Sequence, residues 1–251
     1  MRKLFSSAVV LVLALLVSAS AMGQINRPTG MPENSKAFGK TYGEWSAAWW
    51  KWALQMPTTA HPLYDSTDCS AGQTGNVWFL GGKFCASQGD VGCIDPMHVV
   101  AKRTCTIPHG TALFFPVLNS EDSYVEEASF GNPGANELYL RTAVKNWSNP
   151  GDGFMTTATV DGWPMHIVRI CSSAADYCLP AESPVFTYTL PNHHNILAAM
   201  GENIDDGVTS SAVSDGFYVL IPPLPTGKHA IAFYGANWSF SLDVTYDILV
   251  K

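Results

Sequence analysis

Charge is scarce in this chain, and positive charge is scarcest. Only 14% of the 251 residues are charged, with 14 Lys and Arg against 21 Asp and Glu. A nucleic-acid binder would normally carry a basic face, so this balance argues against that class. No long apolar run follows the N-terminal one, so no later segment can cross a bilayer as a helix. Gly-x-Ser-x-Gly, His-Glu-x-x-His, a phosphate loop and Gly-x-Gly-x-x-Gly are all absent. Their absence weighs against the common serine hydrolases and metalloproteases. Hydrolases with dispersed carboxylates stay open, because an acid/base pair needs no proximity in sequence. No two cysteines lie at zinc-site spacing, and neither a metal nor a cofactor is expected.

What is present begins with a leader. Arg2 and Lys3 precede the apolar run Ala8 to Val17, and Ala19-x-Ala21 offers small residues to a peptidase. This is the pattern of a secretory signal peptide over 1–21. Cleavage would leave 230 residues carrying 12 basic against 21 acidic side chains, a net charge of −9. Residues 22–40, with Pro28 and Pro32, read as a flexible arm, and 41–251 as a single domain. With 47% hydrophobic residues, including 8 Trp, 9 Tyr and 12 Phe, a substantial core is available.

All six cysteines lie in the exported part, which points to disulfides formed in an oxidising compartment, periplasmic or extracellular. Cys171 and Cys178 bracket a short polar loop, and Cys85 and Cys93 bracket one whose glycines permit a reversal. That leaves Cys69 with Cys105, enclosing the second pair.

Periodicity predicts a helix over Thr41 to Gln55, opened by Thr41 and Glu44 as a capping box and stopped by Pro57. Tyr42, Trp45, Trp49, Trp52 and Met56 share one face, with Trp50 and Lys51 off the stripe as its more exposed members. A second helix is expected over Pro133 to Trp147, capped by Asn132. Most of the rest reads as strand: Asn76 to Leu80, Thr111 to Leu118, Thr156 to Val160, Met165 to Ile170, Val185 to Leu190, Gly216 to Ile221 and Lys228 to Tyr234. Asp161-Gly162 is a hairpin signal. From Phe240 to Val250 apolar residues alternate strictly. The expected fold is mainly β, an antiparallel β-sandwich or jelly roll with two packed helices, stabilised by disulfides.

Gly43-Glu44-Trp45-Ser46 with Trp49-Trp50, Val77-Trp78-Phe79-Leu80, Arg103-Thr104-Cys105-Thr106-Ile107-Pro108 and Leu113 to Asn119 resemble a family of secreted bacterial proteins of uncharacterised activity. That family has a Trp-rich N-terminal helix and a β-rich C-terminal region. Val160-Asp161-Gly162, Ser183-Pro184-Val185-Phe186 and Pro223-Leu224-Pro225-x-Gly227-x-His229 continue the likeness over most of the mature chain. The resemblance implies export, a bacterial source and a β-rich fold, and it transfers no site residue. Cys85 and Cys93 lie outside its pattern, in keeping with a local bridge.

Glu121, Asp122, Glu126 and Glu127 follow the strand that ends near Asn119. Carboxylates at a strand end suit acid/base catalysis or a hard cation, although a charged loop in an acidic protein is usually just solvated surface. Glu121, Asp122 and Glu126 are the catalytic candidates. Glu202, Asp205 and Asp206 form a second cluster without calcium-loop spacing. His193-His194 points to opposite sides of an extended chain and reads as an exposed turn. His166 and His229, each in a strand, read as structural. Trp50, Trp163 and Trp238 are the ligand-binding candidates, and Trp147 is placed to line a shallow groove. Asn146-Trp147-Ser148 and Asn237-Trp238-Ser239 match the glycosylation pattern. The expected activity is non-catalytic binding of a glycan or other small extracellular ligand. The alternatives are a secreted hydrolase or lyase using the carboxylates, and a structural envelope or matrix protein.

Overall fold

A computed structural model describes residues 28–64, 68–85, 93–95, 97–149, 151–170 and 182–251. The signal segment and the Cys171–Cys178 bridge lie outside the described residues.

Thr41 and Glu44 form the capping box. Glu44 N donates to Thr41 Oγ1 at 3.2 Å, and Thr41 N donates to Glu44 Oε2 at 2.8 Å. Helix α1 runs from Tyr42 to Leu54. Asn136, rather than Asn132, caps the helix near residue 140, accepting from Tyr139 N at 3.0 Å. Four α-helices occur among the described residues instead of the two expected. The additional ones are short.

The strands form two sheets. Sheet A joins β1 (Val77–Phe79), β4 (Ala112–Ser123), β9 (Thr209–Ile221) and β7 (Val168–Ile170) in that order, with β8 (Phe186–Thr189) also on β9. Sheet B runs β2 (Cys93–Asp95), β3 (His98–Ile107), β11 (Ser241–Val250), β10 (Gly227–Ala236), β5 (Met155–Val160), β6 (Trp163–Pro164). The sheets are mixed, which corrects the antiparallel expectation: β1 pairs with β4 in parallel, and β3 with β11. Neither pair is joined by a tight turn. The chain leaves β1 for sheet B before returning as β4, and such indirect connections admit parallel neighbours. Asp161-Gly162 makes its turn, but β6 holds only two residues before the chain crosses to sheet A as β7.

The alternation in β11 buries Leu242, Val244, Tyr246, Ile248 and Val250. These meet Leu113, Phe115, Val117 and Leu118 of β4 and Phe217 and Val219 of β9 in one apolar core between the sheets. Phe115 stacks on Phe233 with ring centroids 4.8 Å apart. On the other face of sheet A, α1 packs Tyr42, Trp49, Trp52 and Leu54 over Phe114, Tyr218 and Tyr188. Trp49 is 2% exposed, and its indole N–H donates to Leu80 O at 2.7 Å. Helix α3 (Glu137–Ser148) lies against β4 and β9, where Leu140 and Val144 cover Val213. From Pro28 the chain lies along sheet A: Met31 N donates to Leu220 O at 2.8 Å, and Tyr42 OH donates to Met31 O at 2.6 Å.

Two bridges pair as their spacing predicts. Cys69–Cys105 ties the loop before β1 to β3, and Cys85–Cys93 spans eight residues.

Candidate functional site

Strand β4 does not end near Leu118 but continues to Ser123. Opposite β9, Pro116 pairs with Tyr218 and Leu118 with Phe217, so Val117 is an extra residue in the ladder. A bulge of this kind shifts the alternation of side chains by one. Val117 and Leu118 both enter the core between the sheets. Beyond them Ser120 turns towards α3, donating to Val144 O at 3.0 Å. Ser123 turns the other way, to Tyr188 OH at 2.8 Å beneath α1. Glu121, two residues before Ser123, shares its side of the strand. The bulge needs two glycines. A Cβ on Gly216 would sit 2.5 Å from Leu118 O, and one on Gly235 2.1 Å from Val117 O.

Ser123 then caps α2 (Tyr124–Ser129), which carries Glu126 and Glu127 back over the strand end. Ser123 Oγ donates to Glu126 Oε2 at 2.5 Å, and Asn132 Nδ2 to Glu127 Oε2 at 2.8 Å. The acidic run is therefore no solvated loop: Asp122, Glu126 and Glu127 are 7%, 7% and 8% exposed. Oε2 of Glu121 and Oδ2 of Asp122 are inaccessible and have no hydrogen-bond partner among the described residues. Their neighbours are other carboxyls, Glu126 beside Glu121 and Glu127 beside Asp122.

Burial among like charges makes ionisation expensive. Desolvation, then repulsion from Glu126, holds Glu121 well above the usual carboxylate range. Desolvation and the Glu202 charge push Glu126 up to about 8. Asp122 is raised to about 7 by burial and by Glu127, and Glu202 to about 7 by burial and by Asp122. Near neutral pH this group therefore keeps protons that surface carboxylates would have lost, and its members can both donate and accept.

Strand β1 pairs only with Ala112 to Phe114 of β4. Past that point a cavity of about 560 Å³ runs along the outer edge of β4. Its floor carries Asn119, Glu121, Asp122, Glu126, Glu127 and Glu202. Trp50, Phe84, Trp147, Phe240 and Leu242 contribute to its walls, and Phe130 and Met200, 66% and 50% exposed, are the most open of its lining residues. No three His, Cys, Asp or Glu side chains among the described residues are grouped as a metal site would require.

Glu121, Asp122 and Glu126 thus come together, and Glu202 joins them from the second cluster. Asp205 and Asp206 do not. Asp206 instead accepts from Asn195 N and Nδ2, fixing the turn before α4 (Ile196–Ala199). Trp50 lines the cavity but is 7% exposed, contrary to its position off the stripe. Sheet A covers one side of α1, while Ile196 and Leu197 of α4 join the same cluster, so α1 has little free face. Trp163 and Trp238 are exposed at 38% and 69% and lie away from the cavity. Trp147 does line it. Sequence reasoning missed Phe84, Asn119 and Phe240, whose types and spacing carry no signal of a shared wall.

The histidines are structural or exposed. His229 uses both ring nitrogens, Nδ1 with Asp161 at 2.8 Å and Nε2 with Pro225 O at 2.9 Å. Burial opposes its protonation, but the Asp161 contact wins and its pKa is raised. His61 is buried between Ala53 O and Leu63 N and is depressed to about 4, chiefly by desolvation. His166, His193 and His194 face solvent. Asn237 is 7% exposed and holds Trp147 O, Ser239 N and Phe240 N, so its amide is engaged in a turn.

No family model matches the chain, and no curated protein matches it. Among solved structures, a chain from the structure of PbICP-C in complex with falcipain-2 is 10% identical. That match covers 70% of this chain and 100% of the other, at a TM-score of 0.25. The solution structure of Amebosin is 11% identical over 60% of this chain and 98% of that one, at a TM-score of 0.21. At such scores neither likeness bears on fold or function.

Proposed function

We propose that this is a secreted bacterial ligand-binding protein, with its site in the cavity along β4 and a glycan or other small extracellular molecule as its ligand. The observation that carries this reading is convergence. Carboxyl groups from β4, α2 and the segment after α4 line one cavity together with Trp50, Phe84, Trp147 and Phe240. A concave apolar site with a few fixed polar groups is the usual form of a small-molecule pocket. Around it, two sheets meeting in one core suit a rigid sandwich-type scaffold that would hold such a site in shape. Two disulfides fit an oxidising destination.

The Glu121–Glu126 pair favours a second reading, a hydrolase or lyase. A carboxyl that keeps its proton at neutral pH, beside one able to ionise, has the makings of a general acid and base. One experiment separates the two. Mature protein is offered polysaccharides, esters and peptides, with Glu121→Gln, Glu126→Gln and Trp147→Ala variants alongside. Binding without turnover, lost in Trp147→Ala, supports the binding protein. Turnover that vanishes in either Gln variant while the fold persists establishes the enzyme instead. Neither binding nor turnover across the panel rejects the site.

A further inference from the structure

We infer that the cavity along β4 selects an organic amine, a cationic head seated among the carboxyls with an apolar body against the aromatic wall. This deepens the binding reading above and rests on it.

The first observation is imbalance. Five acidic side chains line the cavity, and Lys83 is the sole basic one among the described lining residues. Buried carboxylates elsewhere in proteins are usually paired with a cation or held by donors. Here Ser123 Oγ donates to Glu126, Asn132 to Glu127, and the Ser123 backbone N–H reaches Asp122. The second observation is independent of the count. Asp122 is nine-tenths buried, lines the cavity, and its Oδ2 has no hydrogen-bond partner among the described residues; Oε2 of the half-buried Glu121 and Glu202 likewise has none. These oxygens are buried without a donor, and the side chains that carry them line the cavity. An ammonium brings up to three N–H donors and the missing charge together.

The third observation is the wall. Trp50, Trp147 and Phe240 lie on the same cavity as the carboxyls, and aromatic faces attract cations as well as apolar groups. Phe130 and Met200 add exposed apolar surface among the lining residues, which suits a ligand whose body is hydrocarbon rather than a hydrated sugar. A bare metal ion would use none of this surface, and no metal-type grouping exists among the described residues. Seating a cation favours the ionised carboxyls, so binding near neutral pH must displace protons from them.

The test uses 2-phenylethylamine and its neutral isostere 2-phenylethanol, titrated into the mature protein with tryptophan fluorescence and calorimetry as readouts. The amine should bind at least about tenfold more tightly at pH 8. Its affinity should rise from pH 6 to pH 8, and calorimetry in buffers of different ionisation enthalpy should show proton release. Glu126→Gln should shrink the preference for the amine while keeping affinity for the alcohol. The wild-type proton release stands as evidence even where a variant fails to fold. Equal affinity for amine and alcohol, both lost in Trp147→Ala, overturns the amine while leaving the pocket as a binding site. Glycan binding in the same cavity with no response to the amine does the same. No response to amine, alcohol or any glycan removes the binding reading and the inference together.

Discussion

The two halves of strand β4 lie in one sheet, against one partner strand, and are both largely buried, yet opposite physics governs them. From Ala112 to Leu118 every residue is buried among apolar neighbours. From Asn119 to Ser123 the same strand carries carboxyl, amide and hydroxyl groups into the interior beside α2. The first half gains from leaving water. The second half loses solvation and recovers part of it only by holding protons. The border between them is one residue, Val117. Its insertion turns Glu121 to the side of the strand that faces Tyr188 and α1. A protein can therefore build a reactive or binding surface on the same strand that anchors its core, provided a bulge resets the register.

The sharpest way to break this contrast is to delete packing on the apolar side. Phe115→Ala should destabilise by about 3–5 kcal/mol in urea unfolding, with the same loss at pH 5 and pH 8. A loss that changed with pH would mean that the two halves are coupled. The bridges follow the same division, since Cys69–Cys105 links the apolar side and Cys85 lines the cavity. Their loops close over 36 and 8 residues, so opening them should cost roughly 4 and roughly 2.5 kcal/mol on the chain-entropy model. Serine double replacements, compared by thermal melts, give the order. A smaller effect of the outer bridge would reverse the expectation.

Next comes pH. The folded pKa values of Glu121, Asp122, Glu126 and Glu202 are raised, so the native state binds these protons more tightly than the unfolded chain does. Their contribution is therefore complete below the unfolded values near pH 4 and fades as pH rises through about 7 to 8. The melting temperature should fall by at least ~5 °C between pH 5 and pH 8, and Glu126→Gln should flatten that slope. A wild-type slope of the opposite sign would show that the carboxyls are not buried together. The smallest effect is expected at the exposed indoles. Trp163→Ala and Trp238→Ala should change stability by no more than about 0.5 kcal/mol and leave cavity binding unchanged. Loss of binding in either would move the site away from β4.

β-rich character, the capping box of α1, two of the cysteine pairings and the alternation of β11 were all legible in the amino-acid order. They depend on local spacing or on short loops, which a sequence displays directly. The acidic run was legible as a candidate, but its burial was not. A sequence shows Glu126 and Glu127 next to Ser123. It does not show that α2 folds them over β4, or that Glu202 arrives from far along the chain. Trp50 was misjudged for the same reason: one helix's periodicity describes one covered face, and α1 has Ile196 and Leu197 in its cluster as well as sheet A.

The order of amino acids by itself thus determined helix α1, the apolar half of β4, the last strand β11, and which cysteines could meet across short loops. Tertiary structure alone decided that sheets A and B are mixed, that Val117 is a bulge, and that five carboxyls share one apolar cavity. The physical reason is range. Capping, turn chemistry and side-chain alternation act over a few residues, while desolvation and charge repulsion depend on what distant segments bring within a few ångströms.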